Sequence, residues 1–207
     1  MLINREHTRI FASRVRTLAG VISGMAVIAG VVPGVSTAAC TSGALSHPFA
    51  RFGDSASYTL ITGGSFESGT AGWTLHGASV AAGNESYDVI GGSHSLAIAA
   101  TGSATSPSFC VSTAEPSFRF FARRTSGSWG VLNVVLLWSE ADGVSHETTV
   151  AALQSGTTWT VSPVLALATT LPLWQAGQTL NAKVIFRPEP YGGAWAIDDV
   201  YIDPYTR

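Results

Sequence analysis

Along most of the chain, short apolar-rich runs alternate with clusters of Gly, Ser and Asn. His94–Ala99 alternates apolar with small or polar positions, which predicts a half-buried strand with Leu96 and Ile98 inward. Ser57–Ile61, Ala78–Ala81, Ser86–Ile90 and Ser106–Val111 are similar short segments, and Pro107 is suited to a strand start or an edge. In Ser117–Arg123 the period of two puts Phe118 and Phe120 on one face and Arg119 and Phe121 on the other. Val131–Trp138 is apolar on both faces, which predicts a central strand covered on both sides. Asp142-Gly143 is a hairpin turn, and the chain returns as a strand over His146–Leu153. Leu180–Arg187 places Leu180, Ala182, Val184 and Phe186 on one face, while Leu171–Gln178 reads as one helical turn or a loop. Many short strands with Gly-rich turns, and no long amphipathic helix beyond residue 39, predict an all-β fold: a two-sheet antiparallel sandwich or jelly roll.

The last run, Ala194–Asp203, is rich in β-branched and aromatic residues and is bounded by Gly192-Gly193 and Pro204. Asp198 and Asp199 interrupt it. Successive strand side chains face opposite ways, so one of the two carboxylates should point to the buried side. A buried carboxylate must be paired, hydrogen-bonded or bound to a metal.

The first 39 residues read as an address. Arg5, Arg9, Arg14 and Arg16 precede an apolar stretch from Leu18 to Val32, and small residues follow up to Ala39. That pattern predicts a secretory signal peptide over 1–39, cleaved near Ala39. The apolar stretch is shorter than the roughly 20 residues a span needs, so no membrane span is expected after cleavage. An uncleaved anchor and a lipid attachment at Cys40 are the alternatives; Thr37 stands where a lipobox usually carries Leu. The remaining organisation is an N-terminal arm over 40–56 and one sandwich domain over 57–207. Residues 40–207 carry seven Lys and Arg against twelve Asp and Glu, a balance unlike that of a nucleic-acid binder. Cys40 and Cys110 are the two cysteines, and export predicts a disulfide between them, contributing roughly 4 kcal/mol through the long loop it closes.

Two phrases carry a resemblance. Gly64-Ser65-Phe66-Glu67 with Trp73 following, and Ile197-Asp198-Asp199-Val200 near the end, resemble the opening and closing of the carbohydrate-binding-module and galactose-binding-like jelly rolls; Gly91-Gly92-Ser93-His94-Ser95-Leu96 resembles a turn within them. The likeness covers about residues 60–203, with Gly64-Ser65 standing where Asn-Gly is usual. It implies a structural Ca²⁺ held by Glu67 and Asp198, with Asp199 second and carbonyls near Ser65 and Gly69 completing an oxygen shell. Without a metal, Glu67 would accept backbone N–H bonds and the Asp pair would cap a turn or meet an Arg. The likeness also implies a sugar surface built on loop aromatics. Trp129, Trp174 and Tyr191 are the candidate platforms, with Arg124, Asn84 and Gln175 as hydrogen-bonding partners; Trp73, Trp138 and Trp195 sit in strand contexts and are expected in the core.

Catalysis is not expected. Neighbouring Asp198 and Asp199 cannot straddle a glycosidic bond. No Gly-x-Ser-x-Gly elbow, phosphate loop or dinucleotide fingerprint occurs. Two distant cysteines and scattered histidines do not make a zinc site. The resulting expectation is a secreted, non-catalytic protein whose partner is a glycan or cell-surface component. The alternative is a structural or adhesive extracellular protein that binds protein partners.

Overall fold

The computed structural model describes residues 43–112, 117–139, 143–167, 170–171 and 179–203. All fall within one compact unit, Ser36–Arg207. Among the described residues there are twelve strands: β1 Leu45–Ser46, β2 Tyr58–Leu60, β3 Thr74–Ala82, β4 His94–Thr105, β5 Phe109–Ser112, β6 Ser117–Arg124, β7 Leu132–Ser139, β8 Ser145–Leu153, β9 Thr160–Val161, β10 Leu165–Ala166, β11 Thr179–Pro188 and β12 Trp195–Asp203.

Every pairing among them is antiparallel. In the first layer β12 is central. β6 runs along one of its edges, and β4 followed by β2 runs along the other. β9 and β10 extend the layer beyond β6, β3 extends it beyond β4, and β1 pairs with β2. In the second layer β11 lies between β7 and β5, with β8 beyond β7. β4 serves both layers: Leu96–Ile98 pair with β12, and Ala104 and Thr105 pair with β11. The β3–β4 register shifts between His76 and Ala78, where β4 changes layer. The crossing needs glycine, because a Cβ on Gly102 would stand 2.6 Å from the Gly77 carbonyl oxygen.

The main core fills the space between the layers. Leu96, Ile98, Phe118, Phe120, Leu132, Val134, Leu136, Val184, Phe186, Trp195 and Ile197 form its centre, and Trp73 and Trp138 join it as expected. A second cluster lies on the outer face of the first layer, where Phe121, Ala196 and Tyr201 pack with Phe49, Tyr58 and Trp159. Arg119 is buried there too: its Nη1 donates to Asp54 Oδ2 at 2.9 Å, and its Nε and Nη2 donate to the Ser162 carbonyl. The alternation read in β6 therefore holds, with both of its faces covered. The arm supplies the outer cover through Phe49 and Phe52.

Three readings change. Residues 86–90 form a turn, not an extended segment. The Glu85 carboxylate accepts the N–H groups of Tyr87 and Val89, and Asp88 takes a φ of +53°. That local acceptor removes the backbone donors a strand would use. The strand buried at every position is β12, whereas β7 lies one in from the edge with half-buried Asn133 and Leu137. β4 continues to Thr105, well past Ala99.

Cys110 lies on β5 opposite Asn181, and no cysteine among the described residues is free. Cys40, the expected signal peptide and the Leu171–Gln178 turn from Pro172 onward lie outside the described residues. No helix among the described residues is long and apolar enough to cross a membrane.

Candidate functional site

The two carboxylates of β12 sit at a bulge. Trp195, Ile197, Val200 and Ile202 face the main core, while Ala196 and Tyr201 belong to the outer cluster. The stretch from Ile197 to Val200 holds one residue more than strict alternation allows. The register with β6 shifts there, and Asp199 adopts a φ of +48°. The extra residue lets Ile197 and Val200 both face inward, so neither carboxylate takes a core position. Both are nevertheless enclosed, Asp198 being 0% and Asp199 1% exposed. In place of the expected alternation, with one carboxylate toward the buried side, the bulge encloses both.

Three chain segments meet at this bulge. Val200 N–H donates to the Gly64 carbonyl at 3.1 Å, and Ile61 N–H donates to the Val200 carbonyl at 2.9 Å, which sets the Phe66–Glu67 turn beside β12. Gly64 makes this approach possible, since a Cβ there would lie 2.9 Å from the Val200 carbonyl oxygen. From the loop after β3, Glu85 N–H donates to Asp198 Oδ2 at 3.0 Å. The other Asp198 oxygen accepts Asp199 N–H at 2.9 Å. The Glu67 carboxylate accepts Ser93 N–H at 3.0 Å and His94 N–H at 2.7 Å, and lies 3.1 Å from His94 Nδ1. Asp199 Oδ2 is buried without a hydrogen-bond partner.

The electrostatics are one-sided. Burial first, then Asp198, Glu85, Glu67 and Asp88, push the Asp199 carboxyl up to about 8. Burial, aided by Glu85 and Glu67, pushes Asp198 up to about 7 against the two backbone N–H groups that favour its charged form. For Glu67, burial pushes upward, but the Ser93 and His94 amides and the His94 ring outweigh it and hold its carboxyl below the usual range. No basic side chain among the described residues hydrogen-bonds to either Asp. Buried carboxylates lacking a counter-cation, one with an orphaned oxygen, fit the oxygen-donor chemistry of a hard divalent ion. No three acidic or imidazole side chains of the described residues converge as a ready chelate. An ion would therefore have to draw Glu67 and Asp199 together.

A second feature lies at the loop end of the sandwich. Thr125 N–H donates to the Ala194 carbonyl at 2.7 Å, Ala194 N–H donates to Ser126 Oγ at 2.9 Å, and Glu189 N–H donates to the Val131 carbonyl at 2.9 Å. A Cβ on Gly130 would overlap the Gly192 carbonyl, and one on Gly193 would overlap that of Ser126. The loops 125–131 and 189–194 are thus interlocked backbone to backbone. They hold Trp129 60% exposed and Tyr191 91% exposed. Arg124 ends β6 at the root of the same loops, and a Cβ on Gly193 would touch its Cδ at 3.4 Å. The structure brings Trp129, Tyr191 and Arg124 to one end; Trp174 and Gln175 lie outside the described residues.

Sequence reasoning missed a third feature. A cavity of about 540 Å³ opens on the second layer, lined by Ser108, Leu137, Ser139, Ser145, Asn181 and Lys183. The signal was present in β11, where Asn181 and Lys183 alternate with the inward Leu180, Ala182 and Val184. The cavity sits at the far end of β7 from Trp129, roughly 25 Å along the strand at about 3.3 Å per residue.

No protein-family profile matches the chain, and no curated protein matches it. Solved structures do. The CBM22-1 xylan-binding domain from Paenibacillus barcinonensis Xyn10C aligns over 69% of this chain and 92% of its own, with 18% identity and a TM-score of 0.50. The tandem CBM22-1–CBM22-2 structure from the same protein gives 18% identity and a TM-score of 0.51, over 69% of this chain and 45% of that one. The CBM22-1–GH10 modules of Clostridium thermocellum endo-1,4-β-D-xylanase 10B, complexed with xylohexaose, give 13% identity and a TM-score of 0.53 over 69% of this chain and 28% of that one. The chain has the β-sandwich jelly-roll fold of the carbohydrate-binding modules.

Proposed function

We propose that this is a secreted, non-catalytic glycan-binding protein whose sugar platform is the interlocked loop end. The observation that carries the reading is the pair of exposed aromatics, Trp129 and Tyr191, on loops fastened to each other through glycine contacts. A sugar ring presents an apolar C–H face to an aromatic ring and leaves its hydroxyls for polar partners. Backbone already held in place loses little conformational entropy when a ligand docks, which favours binding. Arg124, at the root of these loops, would donate hydrogen bonds to the hydroxyls. The xylan-binding domain and the xylohexaose complex of the same fold make xylan the first polymer to test.

Affinity electrophoresis in xylan and other polysaccharides provides the test. Trp129→Ala is expected to weaken binding about tenfold or more, corresponding to roughly 1.4 kcal/mol. Asn181→Ala and Lys183→Ala, in the cavity at the other end, are expected to leave binding unchanged. If the cavity variants abolish binding and Trp129→Ala does not, the platform is wrongly placed. Protein that retards on no polysaccharide yet self-associates would favour the adhesive alternative.

Two supporting elements belong to the same reading. A structural Ca²⁺ would be held by Glu67, Asp198 and Asp199, joining the turn after β2 to β12. Cys40 is bonded to Cys110, tying the start of the exported chain to β5. Peptide mapping without reduction is expected to recover the two cysteines in one linked fragment, and two alkylatable thiols in the unreduced protein would refute the bridge.

A further inference from the structure

The loop end carries positive charge that no carboxylate among the described residues pairs. The described residues include six Lys and Arg side chains. Arg119 pairs with Asp54 at 2.9 Å, Arg187 meets Glu147 at 3.5 Å, and Arg51 donates to the Tyr87 carbonyl at 2.6 Å. Arg123, Arg124 and, at the distant cavity, Lys183 have no acceptor among the described residues, but only the two arginines carry buried Nε atoms without a partner. A shortage of acids does not explain this, because twelve carboxylates stand against seven cations after residue 39.

Both side chains are braced. The Arg123 guanidinium lies 4.9 Å over the Trp159 ring, and a Cβ on Gly83 would stand 3.8 Å from its Nη2. The stem of Arg124 runs beneath Gly193, in the loop that presents Tyr191. As consecutive residues of β6 the two project to opposite sides of its tip. A single small anion would meet one of them. An extended chain with recurring carboxylates, lying across that tip, would meet both.

We infer that the loop end selects an acidic polysaccharide, of the uronic-acid class, through the unpaired guanidinium groups of Arg123 and Arg124 beside the Trp129 and Tyr191 platform. The planar fork of arginine matches a carboxylate in two parallel hydrogen bonds. This inference rests on the glycan-binding reading of the same loops and adds the charge of the ligand to it.

The test compares three probes on the full chain by isothermal titration: polygalacturonate, the same polymer with its carboxyls reduced to alcohols, and xylan. Polygalacturonate is expected to bind about tenfold more tightly than its reduced form, and the margin should shrink at high ionic strength. Arg123→Gln with Arg124→Gln is expected to erase the margin, while Trp129→Ala weakens charged and neutral polymers alike. Equal affinity for the charged and reduced polymers would overturn the inference and leave glycan binding standing. Binding to none of the three would count against the glycan reading itself and take the inference with it. If the double variant does not fold, the wild-type comparison of charged and reduced polymer still decides.

Discussion

Chelator at pH 8 is expected to lower the melting temperature substantially by removing the proposed calcium, and the loss is expected to shrink as the pH falls toward 5. Burial and neighbouring carboxylates push Asp198 up to about 7 and Asp199 up to about 8. In the unfolded chain an Asp titrates near 3.9. Between about pH 4 and pH 8 the native state therefore holds protons that the unfolded state has released. Where the native state binds more protons, stability falls as pH rises. Each lagging group costs up to about 1.4 kcal/mol per pH unit. Calcium would take the place of those protons, so its stabilisation should be greatest where they are lost. A ligand at a hundredfold excess over its Kd contributes about 2.7 kcal/mol, which for a domain of this size is roughly 5–10 °C. Thermal melts with chelator and with calcium across this range make the comparison. Asp199→Asn gives an internal control: at pH 8 in chelator it should be more stable than the parent, having lost a buried charge, and it should respond less to calcium. Melts that coincide with and without chelator at pH 8 would remove the ion from the account.

The elements that could be read from the chain are those whose packing repeats with the strand period. Phe118 and Phe120 opposite Arg119 and Phe121 are one example, and Leu180, Ala182, Val184 and Phe186 another. What escaped depends on partners distant in sequence. Asp198 and Asp199 look like a break in alternation, and only the pairing of β12 with β6 turns that break into a bulge. Tyr87 and Val89 look like strand positions until Glu85 claims their N–H groups. Trp129 and Tyr191 could be read as loop aromatics, but Gly130 meeting Gly192 and Gly193 meeting Ser126 involve residues about 60 apart, which no local pattern encodes. The cavity beside Lys183 needs three strands in register before it exists.

Phe49→Ala is the substitution expected to damage the fold most, although it falls in a segment that reads as a peripheral arm. The ring is 0% exposed. Its centroid lies 4.8 Å from that of Tyr58, 5.6 Å from Tyr201 and 5.7 Å from Phe121, and the Arg119 guanidinium lies 4.7 Å over its face. Truncating a buried Phe costs roughly 3–5 kcal/mol, and more when the walls cannot collapse. Here the walls are rigid: Tyr58 Oη donates to Asp54 Oδ2 at 2.7 Å, and that carboxylate also fixes Arg119. The cavity would also take away the aromatic face over a buried cation, whose only described anionic partner is then Asp54. Phe52→Ala should cost less, because that ring and Tyr87, its edge-on partner at 4.8 Å, are both half-buried. Urea unfolding of the two variants against the parent measures the difference. A loss below about 1 kcal/mol for Phe49→Ala would show that the outer face of the first layer does not depend on the arm, and the second cluster would cease to be a core in its own right.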